Sequence, residues 1–348
     1  INGRINAGRS SAEMLAALRS LIRGETAYHS LFPILRRFNA AEVLRIAARD
    51  LNGLASLEEV TAELSALAAA TLQISYEVSR RYLIAEYGTP LMRTASGERE
   101  AEMTIIGMGK LGGCELNYSP DIDLIFLYSS DEGETSGRAG APGKIKGKIS
   151  LLLFFTELAE MVTRAVSQVT EDGSVFRVDP GLRPEMKNRK MAVSLNSAAD
   201  YYEFWGQTME RAAMLKARPV AGSLELGEKF LADIEPFTYP KFPDYDLIED
   251  MTAMKKRIDA SQARGNIREF DIKLDRGGIR EIEFIIQTLQ LIYAGKNRDL
   301  RRQNSLQALA ALGEARIIPP EECAALTNAY RFLRTVEHRL QIVQERQS

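Results

Sequence analysis

Residues 107–128 read GMGKLGGCELNYSPDIDLIFLY, a glycine-rich segment followed by an Asp-Ile-Asp triplet inside an apolar run. The apolar and aromatic residues after the triplet are typical of a strand. Because side chains alternate across a strand, Asp121 and Asp123 are expected on one face, with their Cα atoms roughly 6.6 Å apart. Two like charges so placed repel each other unless a cation neutralises them. Mg²⁺ binds one or two carboxylates and completes its shell with water and phosphate oxygens, so the stretch predicts a magnesium-binding strand.

A third carboxylate, Asp179, ends another strand candidate, VFRVD. If that strand pairs near the first, three aspartates could hold two Mg²⁺ ions about 3.5–4 Å apart, the spacing used for in-line phosphoryl displacement. Gly112 and Gly113 allow a tight turn whose backbone N–H groups can face a phosphate. The glycine spacing fits neither the Walker phosphate loop nor the dinucleotide-binding GxGxxG motif. Each feature alone can simply close a turn, but their order together predicts a metal-dependent phosphate-transfer site.

Outside this stretch, the hydrophobic pattern divides the chain into three parts. Residues 1–97 show helical periodicity, and Ser56 with Glu59 has the spacing of a capping box. Residues 98–235 alternate strand and helix patterns, which predicts a small mixed sheet with helices. Residues 236–348 have the pattern of a helical bundle. We therefore expect an α+β protein with a central sheet domain between two helical regions.

Some finer features of the central part follow from local composition. Residues 129–148 are rich in Gly, Ser and charge and are predicted as a mobile loop, while MAVSL near 191–195 is a further strand candidate. Ser197 is a candidate helix cap. Trp205 and Met209 are four residues apart on the helix that follows, and we expect them in the core.

Composition restricts the class of protein. The 348 residues are 45% hydrophobic and 26% charged, with a net charge of -2. That balance is typical of a globular protein and disfavours a nucleic-acid-binding role. Two cysteines and two histidines, far apart in the sequence, lack the spacing of a zinc site. The few cysteines, with neither a signal peptide nor a long apolar run, lead us to expect a cytoplasmic protein without membrane association. The chain starts with Ile and stops within a helical pattern, so we expect a fragment.

The ordered set of glycines and aspartates resembles the nucleotidyltransferase superfamily related to polymerase beta. A closer resemblance covers the chain from about Leu35 onward. Four motifs together are similar to the bifunctional enzymes that adenylylate and deadenylylate glutamine synthetase. In chain order they are GMGKLGGCELNYSPDIDLIFLY, FRVDPGLRP, MERAAMLKARPV and DIKLDRGGIREIEFIIQTLQLI. RGGIREIEF resembles their N-terminal, adenylyl-removing half. Pro120 departs from the family pattern, which usually has Ser before the first Asp.

The resemblance implies a polymerase-beta-like fold and removal of AMP from a glutamine synthetase tyrosine, with orthophosphate entering and ADP leaving. It implies that Asp121, Asp123 and Asp179 are catalytic and hold the Mg²⁺ ions, and that a PII-type signal protein regulates the reaction. Further residues match family motifs and are candidates for phosphate or nucleotide binding. These are Gly112, Gly113, Lys110, Arg183, Lys216, Arg218 and Glu281.

Several alternatives stay open at this point. The cations among these candidates could instead form structural ion pairs or lie at the surface. Glu281 and Glu283 cannot share one helix face, so one of them is expected to reach the site and the other to pack or face solvent. The same aspartates would also serve the forward, ATP-dependent adenylylation. A non-catalytic module that binds glutamine synthetase is the remaining alternative.

Overall fold

The computed structural model describes residues 7–22, 27–118, 121–139, 145–184, 191–242, 249–251, 253 and 271–344. It has helices before, around and after a small sheet, so the expected α+β class is confirmed. Among these residues, each helix is too short or too polar to cross a membrane.

The described residues of the N-terminal part form three α-helices: α1 (Ser11–Leu21), α2 (Leu31–Leu51) and α3 (Leu57–Tyr87). The predicted capping box of Ser56 and Glu59 starts α3. The expectation of helix through residue 97 is wrong, because α3 ends at Tyr87. Gly88 follows with φ +81°, which stops the helix, and a strand begins two residues later. The division of the chain into three domains stays a prediction.

A small antiparallel sheet follows α3. Its strand order is β2-β1-β5, from β1 (Pro90–Thr94), β2 (Gly97–Glu100) and β5 (Gly133–Thr135). A separate ladder pairs β6 (Arg138–Ala139) with β7 (Ile145–Lys146). The prediction of a loop over 129–148 is therefore wrong at 133–135, 138–139 and 145–146, where short strands pair despite the Gly- and Ser-rich composition.

The main sheet has the order β10-β3-β4-β8, with β9 also paired to β4. The neighbours β10, β3 and β4 are antiparallel, whereas β8 and β9 run parallel to β4. Its strands are β3 (Met103–Gly107), β4 (Asp121–Tyr128), β8 (Arg177–Asp179), β9 (Ala192–Ser194) and β10 (Arg218–Gly222). The strands predicted near 103, 121, 177 and 191 are thus present.

Both faces of this sheet are covered. Leu124 and Phe126 of β4 belong to a core shared with the N-terminal helices, while Ile125 and Leu127 belong to a second core on the opposite face. Because side chains alternate, Asp121 and Asp123 lie on the same face as Ile125 and Leu127. The surrounding helices are α4 (Gly109–Gly112), α5 (Leu151–Ser167), α6 (Leu195–Phe204), α7 (Thr208–Met214), α8 (Leu224–Asp233) and α9 (Glu235–Thr238).

Two expectations about the α6 region are wrong. Ser194, and not Ser197, caps α6, because it is the Ser194 side chain that accepts the N–H of Ser197. Trp205 and Met209 are not in the core, since they are 74% and 60% exposed. Helix α6 ends at Phe204, so the helical spacing assumed for these two residues does not apply.

The C-terminal helices are α10 (Ile279–Tyr293), α11 (Ser305–Glu314) and α12 (Pro320–Gln344). They share a core that includes Ile282, Leu309 and Tyr330. This helical unit packs beside the turn that joins β3 to β4, and so brings charged side chains close to that turn.

Candidate active site

The three predicted carboxylates come together through the pairing of β4 with β8. In this parallel ladder Asp121 lies opposite Arg177, and Asp123 lies opposite Asp179. Residues in register on neighbouring strands are about 4.8 Å apart and point to the same face. Asp121, Asp123 and Asp179 therefore form an acidic cluster at the start of β4.

The charge of this cluster is only partly offset by nearby side chains. Burial, and then the charges of Asp179 and Asp121, raise the pKa of Asp123 to about 6, while Lys273 acts in the opposite direction. The Nε of Arg177 donates a hydrogen bond to Asp121. The cluster thus holds one carboxylate that a cation would stabilise in its ionised form.

A hydrogen bond from the following turn orients Asp179. The backbone N–H of Gly181 donates to its Oδ1 at 2.7 Å. A Cβ at Gly181 would lie 2.8 Å from the same oxygen, so glycine lets the turn approach the carboxylate closely. Arg183, two residues further on, donates through Nη1 to the carbonyl oxygen of Pro180 at 3.1 Å. Arg183 therefore lies near the cluster and supports this turn.

The donor chemistry of the cluster fits Mg²⁺. Within the described part of the chain, no three His, Cys, Asp or Glu side chains converge closely enough to enclose an ion. Mg²⁺ does not need such an enclosure, because it is commonly held by one or two carboxylates plus water and substrate oxygens. The mutual repulsion at Asp123 is the feature that an ion would relieve. Two Mg²⁺ ions stay a prediction.

The glycine turn lies against Asp123. The N–H of Met108 donates to the carbonyl oxygen of Asp123 at 3.0 Å, and a Cβ at Gly109 would lie 2.9 Å from Asp123 Oδ2. Gly109 also has φ +51°, which favours glycine. The turn is therefore in direct contact with the acidic cluster.

Gly112 and Gly113 lie at the C-terminal end of α4, and Gly112 is needed there for a reason that the sequence did not indicate. Their N–H groups donate to the carbonyl oxygens of Met108 and Gly109, so in this arrangement neither faces a phosphate. A Cβ at Gly112 would lie only 1.9 Å from the carbonyl oxygen of Lys216. Close packing of two backbone segments therefore requires glycine at position 112. Phosphate binding by Gly112 and Gly113 stays a prediction.

The three cations predicted near the turn are all bonded to protein groups. Arg218 donates through Nε to the carbonyl oxygen of Gly112 at 3.0 Å. Lys110 Nζ lies 2.9 Å from Glu337 Oε1. Lys216 Nζ lies 2.9 Å from Glu115 and 3.4 Å from Glu283. Lys110, Lys216 and Arg218 are thus next to the turn, but their contacts are those of structural partners.

Glu281 and Glu283 have different environments, as their spacing predicted. Glu281 accepts a hydrogen bond from the N–H of Gly277 at 2.8 Å, at the N-terminus of α10. Glu283 reaches Lys216, although Glu281 was the one assigned to the site. Burial alone would raise the pKa of Glu283, but the charges of Lys216, Lys110 and Arg334 lower it.

Pro120, the residue that departs from the family pattern, lies outside the described residues.

Sequence reasoning missed two charged residues here. Lys273 lies within the motif DIKLD, close enough for its charge to act on Asp123. Glu115 directly follows the glycine turn, is 4% exposed and bonds Lys216. A charged residue between a glycine pair and a buried strand was the available signal for Glu115, because such a residue needs a partner when buried.

A protein-family model described as glutamate-ammonia ligase adenylyltransferase matches residues 5–233, well over half of the chain. The chain belongs to the glutamate-ammonia ligase adenylyltransferase family. The family resemblance found in the sequence is thereby confirmed. A second model, described as GlnD PII-uridylyltransferase, matches residues 247–348. The adenylyltransferase family model thus includes the acidic cluster and the glycine turn, while the second includes α10, α11 and α12.

Similar proteins include three described as bifunctional glutamine synthetase adenylyltransferase/adenylyl-removing enzymes. The relative from Pseudomonas aeruginosa is 40% identical over 90% of this chain and 31% of its own length. Those from Aromatoleum aromaticum and Nitrosococcus oceani are both 41% identical, over 90% and 91% of this chain and 32% of their own length. This adenylyltransferase-family chain therefore spans about a third of the length of the curated relatives it matches.

Proposed function

We propose that this chain removes AMP from an adenylyl-tyrosine of glutamine synthetase by metal-dependent phosphorolysis. The observation that carries the proposal is the β4–β8 register, which brings Asp123 beside Asp179 in a chain of this family. The proposal includes a polymerase-beta-like nucleotidyltransferase fold for the sheet domain. It is supported by the antiparallel β3–β4 pair, in which a glycine turn precedes the carboxylate-bearing strand.

In the proposed reaction, an oxygen of orthophosphate attacks the phosphorus of the AMP group. A P–O bond forms to this oxygen, and the bond from phosphorus to the tyrosine oxygen breaks. ADP is one product, and the proton of hydrogen phosphate ends on the tyrosine phenol. Because a phenol has a pKa near 10, its anion is a moderate leaving group that needs little help from a general acid.

Asp123 and Asp179, with Asp121, would hold Mg²⁺. When bound, Mg²⁺ offsets the repulsion between the phosphate nucleophile and the phosphodiester and stabilises the departing phenolate. The chain's own residues supply the frame for this chemistry. Asp179 is oriented by Gly181, and Asp123 is supported by the glycine turn. Lys273 would attract the anionic substrates toward the cluster.

The direction of the reaction is part of the proposal. RGGIREIEF at 276–284 supports the adenylyl-removing half of the bifunctional enzyme. The relatives' description names both activities, and the same carboxylates would serve either. The match of 247–348 to a PII-uridylyltransferase model supports a link to nitrogen signalling. We propose that a PII-type signal protein, in its uridylylated form, promotes the removal reaction in the cytoplasm.

The test is a product assay with adenylylated glutamine synthetase, Mg²⁺ and orthophosphate, in which ADP is separated by chromatography. We expect ADP formation that requires phosphate and is lost in Asp121→Asn and Asp123→Asn. Asp172→Asn is the matched control, because Asp172 is an exposed carboxylate that pairs with Arg37 away from the cluster. That variant should keep full activity.

Other outcomes would contradict the proposal. AMP incorporation from ATP into unmodified glutamine synthetase, without ADP release from the adenylylated form, would assign the forward reaction to this chain. Binding to glutamine synthetase with neither reaction, also in the presence of uridylylated PII-type protein, would indicate a non-catalytic module.

A further inference from the structure

Among the residues that the structure describes, six charged side chains meet where the glycine turn contacts the C-terminal helices. Three are cations and three are carboxylates, so the group is balanced in charge. We call it the junction cluster; its members are Lys110, Glu115, Lys216, Glu283, Arg334 and Glu337. Arg334 and Glu337 are each 1% exposed. Buried charges of this kind are tolerated only when they are paired and hydrogen-bonded.

Glu115 makes the largest number of these contacts. Its carboxylate accepts hydrogen bonds from Lys216 Nζ at 2.9 Å, from both the N–H and the hydroxyl of Ser305, and from the hydroxyl of Tyr330 at 3.4 Å. Its backbone is also fixed, because its N–H donates to the carbonyl oxygen of Lys110 at 2.7 Å. Glu115 therefore joins the turn to α11, α12 and the segment before β10.

The turn held in this way is the one that contacts Asp123. Asn304 donates to the carbonyl oxygen of Gly113 at 3.2 Å, so the start of α11 also holds the far side of the turn. Met108, at the other side of the turn, donates to the carbonyl oxygen of Asp123. A continuous path of short contacts thus runs from the C-terminal helices through the turn to the acidic cluster.

We propose that Glu115 is a positioning residue, which fixes the glycine turn on the C-terminal helices and so sets the position of Asp123 for the reaction. This inference rests on the proposed function. The proposal also assigns an indirect role to Lys216, which holds Glu115 in place and does not bind phosphate. Burial, together with the charge of Arg334, lowers the pKa of Lys110 to about 8, while the charge of Glu337 acts in the opposite direction.

The test compares Glu115→Gln with Glu63→Gln. Glu63 is a matched control, because it is also a buried carboxylate and pairs with two cations, Arg45 and Arg49, in the N-terminal helices. We expect Glu115→Gln to lower kcat by about 10- to 100-fold, since a small displacement of a reacting group has an effect of that order. KM for adenylylated glutamine synthetase should change by less than about threefold. Glu63→Gln should lower Tm while leaving kcat unchanged.

Amide hydrogen exchange provides a readout that does not depend on activity. We expect faster exchange in peptides covering 107–117 in Glu115→Gln, and unchanged exchange there in Glu63→Gln. If the wild-type chain shows no ADP formation, the proposed function fails, while the exchange experiment still tests the role of Glu115. Loss of Tm with unchanged kcat and unchanged exchange at 107–117 would overturn the inference.

Tyr330→Phe covers the case in which Glu115→Gln does not fold. It removes only the hydroxyl that contacts Glu115 and Glu283, at 3.4 and 3.1 Å. We expect a smaller fall in kcat, of about 3- to 10-fold, with the same local increase in exchange. Wild-type kcat and exchange in Tyr330→Phe would count against the proposal.

Discussion

Three parts of the protein act on Asp123: strand β8, the glycine turn and the segment before α10. Asp123 lies opposite Asp179 in the ladder, its carbonyl accepts the N–H of Met108, and Lys273 acts on its charge. Burial and the neighbouring carboxylates make its ionised form less favourable than that of an exposed carboxylate. A residue with a pKa raised by burial and by like charges is a common feature of functional sites.

This raised pKa predicts how stability depends on pH. The pKa of Asp123 rises from an ordinary value of 3.8 to about 6 in the folded protein. Between those values the folded state binds more protons than the unfolded state, so the free energy of unfolding falls as the pH rises through this window. The difference in Tm between the metal-free wild-type protein and Asp123→Asn isolates this contribution, and it should decline as the pH rises from about 4 to about 6.

Bound Mg²⁺ should stabilise the protein more as the pH rises, which is opposite to the trend expected for the metal-free protein. It favours the ionised carboxylate, so we expect it to raise Tm more at about pH 7 than at about pH 5. Asp123→Asn should lose most of the Mg²⁺-dependent rise. An equal rise at both pH values, or the same rise in the variant, would contradict binding at Asp123.

At this scale, the sequence identified the residues of the acidic cluster but not the partners of the nearby cations. Asp121 and Asp123 were predictable because strand alternation fixes their common face. The partners of Lys216 were not, since Glu115 and Glu283 are distant in sequence and meet it only through tertiary packing. The exposure of Trp205 was missed for a local reason, because α6 ends just before it.

At the scale of elements, the end of α5 shows how the N-terminal helices support the site. Arg36 of α2 donates to the carbonyl oxygens of Ala165, Gln168 and Gly173. These groups belong to the end of α5 and to the turn after it. The chain continues from this turn into β8, which carries Asp179. Arg36 thus supplies donors that a helix end would otherwise lack.

Replacing Arg36 should destabilise the folded protein. We expect Arg36→Met to lower the free energy of unfolding by about 3 kcal/mol, because several buried carbonyl groups lose a charged donor. Arg37→Met is a matched control, since the Arg37 side chain is 75% exposed and pairs with Asp172 at 3.4 Å. That change should stay within about 0.5 kcal/mol. Urea unfolding followed by circular dichroism measures both, and equal values for the two variants would refute the argument.

The elements with a clear pattern were predictable, and those without one were not. β3 and β4 are apolar runs, and α3 begins with a capping box. β10 was missed because its sequence, RPVAG, contains both Pro and Gly, which are disfavoured in strands. It forms because β3 supplies a pairing edge, and the register shifts between Pro219 and Ala221.

For the whole molecule, the junction cluster predicts cooperative unfolding. If the C-terminal helices unfolded alone, Lys110 would lose its partner Glu337. Glu115 and Lys216 would keep each other, but both would lose their hydrogen bonds to Ser305, and Lys216 would lose its contact with Glu283. Unpaired buried charges are strongly unfavourable. We therefore expect differential scanning calorimetry to show one transition that includes the sheet and α10–α12. Two well-separated transitions in the wild-type chain would indicate that these parts are independently stable.

The order of strands in the main sheet also affects how the protein is made. β3 has β4 on one side and β10 on the other, yet β10 comes more than a hundred residues after β3 in the chain. During synthesis the N-terminal part leaves the ribosome first, so β3 exposes an unpaired apolar edge until β10 follows. Such an edge is a site for aggregation. The nascent chain is therefore expected to need chaperone protection during the interval between the synthesis of these two strands.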